Sequence, residues 1–376
     1  MLSFQAGPSR LQYIKDVEYE SGLIFCLPDS RSNSNSPRKP DGNQDPLIIK
    51  PPKKSQASLR ALVLAFAVVC SLYTCTVCLN QANFYTRQKF GSFEVNPTQR
   101  CHDIGIDRSQ TPYFHYPNPT TFSRAECACN PVRLFAIVSM QRSGSGWFET
   151  FLNSHGNVSS NGEIFSVMER RSNVSSILST LDQVFNMDWF TSASKNQCSA
   201  AIGFKWMLNQ GLMECHKEIV EYFNDRGVSV IFLFRKNHLR RMVSVLANSY
   251  DRNAKLLNGI HKSHVHSRQE ADTLAGYKPT IHLTSLMMDL KQMENMVLDA
   301  LDYFRSTRHM VLYYEDLLKN RTKLMEAQKF LALPQMELTS RQVKIHKGPL
   351  SEHVKNWDDV KRTLKGTTYE SFLHRD

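Results

Sequence analysis

Two periodicities alternate along the C-terminal two thirds of the chain. Short apolar runs, rich in β-branched and aromatic residues, recur at 134–140, 200–207, 228–234 and 310–314. They show almost no polar alternation, which is the pattern of strands buried on both faces. Between them, apolar residues fall at helical spacing. Trp147, Phe148, Phe151 and Leu152 follow the first run, and further helices are predicted over about 212–225, 239–250, 284–304 and 322–331. Arg226-Gly227 stops the second of these helices, and Pro334 lies just beyond the last. Buried strands alternating with helices predict an α/β fold: a parallel sheet with helices on both faces. In such a sheet ligands sit at the C-terminal strand ends.

The N-terminal third reads differently. Residues 30–40 are Ser/Asn/Pro-rich and 46–54 are Pro/Lys-rich, so 1–60 is expected to be a disordered tail that buries too little to offset chain entropy. Residues 61–79 carry no charge and are rich in Leu, Val, Ala and Phe. At about 1.5 Å per residue, some 20 such residues cross a bilayer core. The run starts too far from Met1 for a cleaved leader, so it predicts a transmembrane helix acting as a signal-anchor. Lys50, Lys53, Lys54 and Arg60 crowd its N-terminal side, which favours a cytosolic tail and a lumenal remainder. A Pro/Asn/Thr-rich stem is expected over 80–126, with Tyr113, Phe114 and Tyr116 as candidate anchors, and a folded domain over 127–376.

Charge and cysteines refine this picture. A net charge of +11 suits an acidic partner. The basic residues are scattered and not interleaved with aromatics, which argues against nucleic acid. Sequons stand at Asn157, Asn173 and Asn320, all beyond the span. Cys101, Cys127, Cys129, Cys198 and Cys215 also lie beyond it. In an oxidising lumen, Cys101 is expected to pair with Cys127 or Cys129, and Cys198 with Cys215. Cys127-Ala128-Cys129 is too tight for a typical zinc pair.

The candidate chemistry lies after the first strand, in Gln141-Arg142-Ser143-Gly144-Ser145-Gly146-Trp147. Strand, Gly/Ser loop and helix together aim backbone N–H groups at an anion. Gly146 is followed by Trp147 and not by the Lys-Ser/Thr of an ATPase loop. The one cation is Arg142, whose fork can hold a phosphate or sulfonyl oxygen. Alone, the loop also reads as an ordinary βα turn.

With its strand and helix, Arg-Ser-Gly-Ser-Gly-Trp resembles the 5′-phosphosulfate loop of sulfotransferases that use 3′-phosphoadenosine-5′-phosphosulfate (PAPS). The resemblance runs over about 131–373 and is nearest to the plant group similar to the bacterial nodulation sulfotransferase. It implies the P-loop-like sulfotransferase fold, no metal, and Arg142 through Trp147 around the phosphosulfate. Arg235 at the end of the third strand, with Ser244 in the next helix, resembles the family's 3′-phosphate site. The cytosolic spacing of eight residues fits Lys236 to Ser244, whereas Arg235 to Ser244 is nine. Either cation can hold that phosphate. Arg341 to Pro349, with Lys347 and Gly348 as the candidate contacts, and then Asn356-Trp357 resemble the late segment that covers the nucleotide. Glu163, in Gly162-Glu163-Ile164-Phe165, resembles the general base of Golgi members. His155 is the rival base, and Lys205 is a possible aid to the sulfonate.

The expected protein is therefore a Golgi-type, single-pass type II sulfotransferase. It would move sulfonate to a hydroxyl or amine of a glycan, glycolipid or peptide. The alternatives are an ATP-dependent kinase and a non-catalytic, membrane-anchored glycan-binding protein of the same fold. The expected topology is tested by endoglycosidase treatment of the protein from cells, which should collapse a glycan-dependent band shift. No shift, with Trp357 open to protease in intact vesicles, refutes it.

Overall fold

The computed structural model describes residues 108–189 and 196–374, together with Val68, which is helical. The first strand, β1 (Arg133–Ser139), is buried along its whole length. It leads through the Gly/Ser loop into α1 (Ser145–Leu152). There follow β2 (Val158–Ser160), α2 (Val174–Phe185), β3 (Ala201–Met207), α3 (His216–Asp225) and β4 (Ser229–Phe234). After these come α4 (His238–Ala254), α5 (Arg268–Ala275), α6 (Leu283–Tyr303) and β5 (His309–Tyr313). The described chain ends with α7 (Tyr314–Lys319), α8 (Thr322–Phe330) and α9 (Trp357–Leu364).

The strands form one parallel sheet of order β2-β3-β1-β4-β5. Each central strand buries both faces, which is why the apolar runs do not alternate. One core holds Leu134, Ala136 and Val138 of β1 against α2, α3, α4, α6 and α9. The other holds Phe135 and Ile137 against α1, α7 and α8. The α/β architecture with helices on both faces follows directly from these two cores. β1 lies between β3 and β4, so the connections leaving β1 and β4 part on either side of it, at the switch point where ligands bind in such sheets.

Several elements depart from the sequence-based expectation, among them the unanticipated helices α5, α7 and α9. β2 is an edge strand of three residues, Val-Ser-Ser, too short to carry a periodic signal. Its Val158 and Ser159 are buried, so the sequon at Asn157 runs into the sheet, whereas Asn320 is exposed. Helix α2 was not anticipated, although Ile177, Leu181, Val184 and Phe185 keep a helical spacing; Asn173 caps it by accepting from the Ser176 N–H. The helix expected from residue 212 starts at His216, because 208–212 form a π-helical turn with Gly211 at φ 80°.

The expected Cys198–Cys215 pair is not formed. Cys127 is bonded to Cys198, whose Cα lies 5.3 Å away, while Cys129 and Cys215 are also disulfide-bonded. Sequence spacing could not select the partner, because the crossover from β1 to β3 brings residues 71 apart together. Ahead of Cys127 the chain is already docked. His115 bridges to Val132, and the Arg133 guanidinium stacks on Phe114 at 4.3 Å and on Tyr113 at 5.8 Å. Tyr116 is exposed. No helix among the described residues is long and apolar enough to cross a membrane, and the span expected at 61–79 lies outside them, Val68 apart.

The long loop closed by Cys127–Cys198 makes this bond a large constraint on the unfolded chain. Cys127→Ala should lower unfolding stability by about 2–5 kcal/mol in non-reducing urea titrations. An unchanged midpoint would refute that.

Candidate functional site

The loop after β1 is shaped by two glycines and one strained arginine. Gly144 sits at φ 87°, and a Cβ there would lie 2.3 Å from the Tyr314 ring. A Cβ on Gly146 would lie 2.4 Å from the His264 ring. Arg142 also adopts a left-handed backbone, φ 63°, which a branched-out residue holds only when its surroundings fix it. Its side chain supplies that fixing. Nε donates to Ser244 Oγ at 3.0 Å, and Nη1 donates to Ser263 O at 2.5 Å and Asn248 Oδ1 at 3.3 Å.

The loop floors a cleft of about 190 Å³ lined by Arg142, Gly144–Trp147, Arg235 and Ser244, with Tyr314, Lys344 and His346 among the remaining walls. Strands β1, β4 and β5 all deliver residues to it from their C-terminal ends, as a parallel sheet requires. Arg235 is buried, pairs with Glu315 at 3.4 Å and stacks on Tyr314 at 5.0 Å. Trp147 meets the same tyrosine edge-on at 5.9 Å.

A second cavity of about 140 Å³ adjoins the first and contains Glu163, Lys205, Asn248 and Arg252. Glu163 Oε1 accepts from Gln210 Nε2 at 2.6 Å, and Oε2 lies 3.3 Å from Lys205 Nζ. The π-helical turn aims Gln210 here: its carbonyl accepts from Trp206 Nε1 and its Oε1 from Met207 N–H. Lys205 also faces the buried Glu149 at 3.7 Å. Glu149 is itself tied to Ser160 Oγ at 2.6 Å and to Gly162 N–H at 2.8 Å, so the turn carrying Glu163 is anchored to α1.

The electrostatics favour an anion. Burial, then the charge of Arg235, lowers the Arg142 guanidinium to about 10, so it stays protonated at neutral pH while surrounded by other cations. His346 is buried, and its Nε2 has no partner. Burial, His353 and the arginines 142, 235 and 240 push its imidazole down to about 3. Ser143 is fully buried, with its Oγ unpartnered. A hydroxyl and an imidazole nitrogen without partners among the described residues, beside arginines, suit an anion.

The structure thus brings Arg142, Gly144, Ser145, Gly146, Trp147, Arg235 and Ser244 to one cleft, with Ser143 buried beneath the loop. Glu163 stands in the adjoining cavity. Lys236 is 52% exposed and pairs with Asp316 at 2.7 Å, outside both cavities, whereas Arg235 lines the first. Lys347 and Gly348 are exposed and do not line either cavity; Gly348 O accepts from Arg240, and Lys344 and His346 take the cleft wall. His155 is buried away from both cavities, bonded to Pro334 O and the Asn157 N–H. Sequence reasoning missed Ser263, His264 and Tyr314, and it held Lys344 and His346 only as members of the late segment 341–349. The cluster His261-Lys262-Ser263-His264 lies in a polar stretch, and nothing in its spacing points at the distant Gly146.

No family model matches the chain, and no curated protein matches it significantly. Two solved structures are similar over 64% of the chain. One is a sulfotransferase from Alicyclobacillus acidocaldarius, 11% identical, with 96% of its chain covered and a TM-score of 0.34. The other is the sulfotransferase domain from the curacin biosynthetic pathway, 16% identical, with 82% covered and a TM-score of 0.29. At these identities and scores neither likeness carries an activity across.

His346 also makes a pH signature. Its folded pKa lies below the unfolded value of about 6.5, so the unfolded chain binds more protons between about pH 3 and 6.5. Stability from this group is complete above that window and is lost as pH falls through it, at up to about 1.4 kcal/mol per pH unit. In thermal unfolding from pH 7 to pH 4.5, His346→Gln should flatten the fall in Tm relative to wild type. Parallel slopes would refute a neutral, cation-crowded His346.

Proposed function

We propose that the chain is a PAPS-dependent sulfotransferase. The observation that carries this reading is the convergence of Arg142, the loop amides, Arg235 and Ser244 on one cleft whose wall is shared with a second cavity containing Glu163. The sequence motifs already matched these positions in sulfotransferases. PAPS, when bound, supplies a sulfonate activated by its phosphate leaving group.

The chain's residues divide the remaining tasks. Arg142 and the loop N–H groups neutralise charge on the phosphosulfate. Arg235 and Ser244 hold the 3′-phosphate, with Lys344 on the same wall. Glu163 accepts the acceptor's proton; Gln210 and Lys205 fix its carboxylate while leaving lone pairs for that proton. Lys205, cationic and buried between two carboxylates, also offsets charge on the sulfonate. The acceptor is a hydroxyl or amine of a glycan, glycolipid or peptide, and the domain acts in the Golgi lumen on a single-pass type II anchor.

Turnover of radiolabelled PAPS by the full chain tests the reading. Glu163→Gln should slow turnover by roughly 10²–10⁴-fold while nucleotide binding persists. 3′-Phosphoadenosine-5′-phosphate (PAP) should bind far better than ADP, and Arg235→Ala should erase that preference. Equal wild-type affinity for the two nucleotides would overturn the proposal and favour a kinase.

A further inference from the structure

The two cavities share four lining residues: Arg142, Ser145, Ser263 and His264. Resting on the sulfotransferase reading, the donor fills one cavity and the acceptor the other, so the group in transfer must pass this common wall. Arg142 and Ser145 belong to the loop after β1. Ser263 and His264 come from the opposite side, on the connection between α4 and α5, and the imidazole lies directly over Gly146.

The connection holds His264 firmly from both sides. Asp251, buried at the end of α4, accepts from the Leu256 N–H at 2.8 Å and bonds His261 Nδ1 at 2.6 Å. The other nitrogen of His261 meets Ser263 Oγ at 3.2 Å. Ser263 O accepts from Arg142 at 2.5 Å. On the far side of His264, Val265 is buried with Ala271 and Leu274, and its carbonyl accepts from the Val343 N–H at 2.9 Å. A histidine held between two pinned neighbours has little rotational entropy left to lose on meeting a ligand.

Surrounding protein, then Lys205 and Arg142, lower the His264 imidazole to about 4. At neutral pH it is uncharged, with one N–H to donate. Arg142 on this wall and Lys205 in the second cavity already supply cations, so a neutral donor adds direction without further charge repulsion.

We propose that His264 is a catalytic residue that donates its imidazole N–H to a sulfonyl oxygen of the group in transfer. During the reaction the acceptor's oxygen or nitrogen bonds to sulfur and the bond between sulfur and the nucleotide's phosphate oxygen breaks. The acceptor's proton goes to the Glu163 carboxylate. His264 gains and loses no proton; it holds the sulfonyl oxygen in line between the two cavities.

PAPS and PAP differ only in the sulfonyl group, so calorimetric titration of the full chain with each isolates this contact without knowledge of the acceptor. His264→Ala should weaken PAPS about ten-fold and leave PAP within about two-fold, since a hydrogen bond to a charged group is worth that much. His264→Gln, which restores a neutral N–H donor, should recover most of the loss. Retained PAP affinity also shows that the variant is folded. Equal loss for both nucleotides would place His264 on the shared nucleotide and overturn the role, and so would no loss for either. Wild-type protein that binds neither nucleotide would overturn the sulfotransferase reading itself, and the role with it.

Discussion

A guanidinium with no carboxylate partner among the described residues governs the site. Arg142 donates to a serine hydroxyl, an asparagine carbonyl and a backbone carbonyl, all neutral. It lies near a second arginine, Arg235, whose charge lowers its proton affinity. A cation held in a desolvated place by neutral acceptors keeps most of its field uncompensated. Its three bonds join the loop after β1, helix α4 and the connection beyond α4. The strain of its left-handed backbone and the positions of Ser244 and Ser263 are therefore parts of one arrangement.

The sheet makes that arrangement possible. All five strands run parallel, so their C-terminal ends lie along one edge. That edge receives the Gly/Ser loop from β1, Arg235 from β4 and Tyr314 from β5. Glu163 reaches the same region because Glu149 of α1 ties down the turn after β2, and Gln210 reaches it because the chain beyond β3 closes a π turn before α3. Irregular backbone thus aims side chains here, in places where regular helix would have pointed them elsewhere.

The chain also separates its charges by neighbourhood. Lys205 sits between Glu149 and Glu163, a locally compensated group. The first cleft instead gathers Arg142, Arg235 and Lys344, and Glu315 pairs with Arg235 at 3.4 Å. The histidines beside this excess, His264 and His346, are driven neutral. The cationic groups thus line the first cleft, and the Glu163 carboxylate stands in the adjoining cavity.

Much of this was legible in the residues alone. The apolar runs marked the four long strands because a parallel strand covered on both faces must be apolar at consecutive positions. Arg142 through Trp147 stood out because a backbone that approaches an anion closely needs small residues in a fixed local order. Arg235 was visible because it follows a predicted strand at short range, and Glu163 because Gly162-Glu163-Ile164-Phe165 resembles a known segment. The short strand β2, the Cys127–Cys198 bond, the choice of Arg235 over Lys236 for the cleft, and the arrival of His264 and His346 were decided only by the tertiary structure. Spacing along a chain encodes burial and local geometry. Which distant side chains meet depends on crossover connections and on packing between segments a hundred residues apart, as in Arg142 with Ser244, and no local pattern records those.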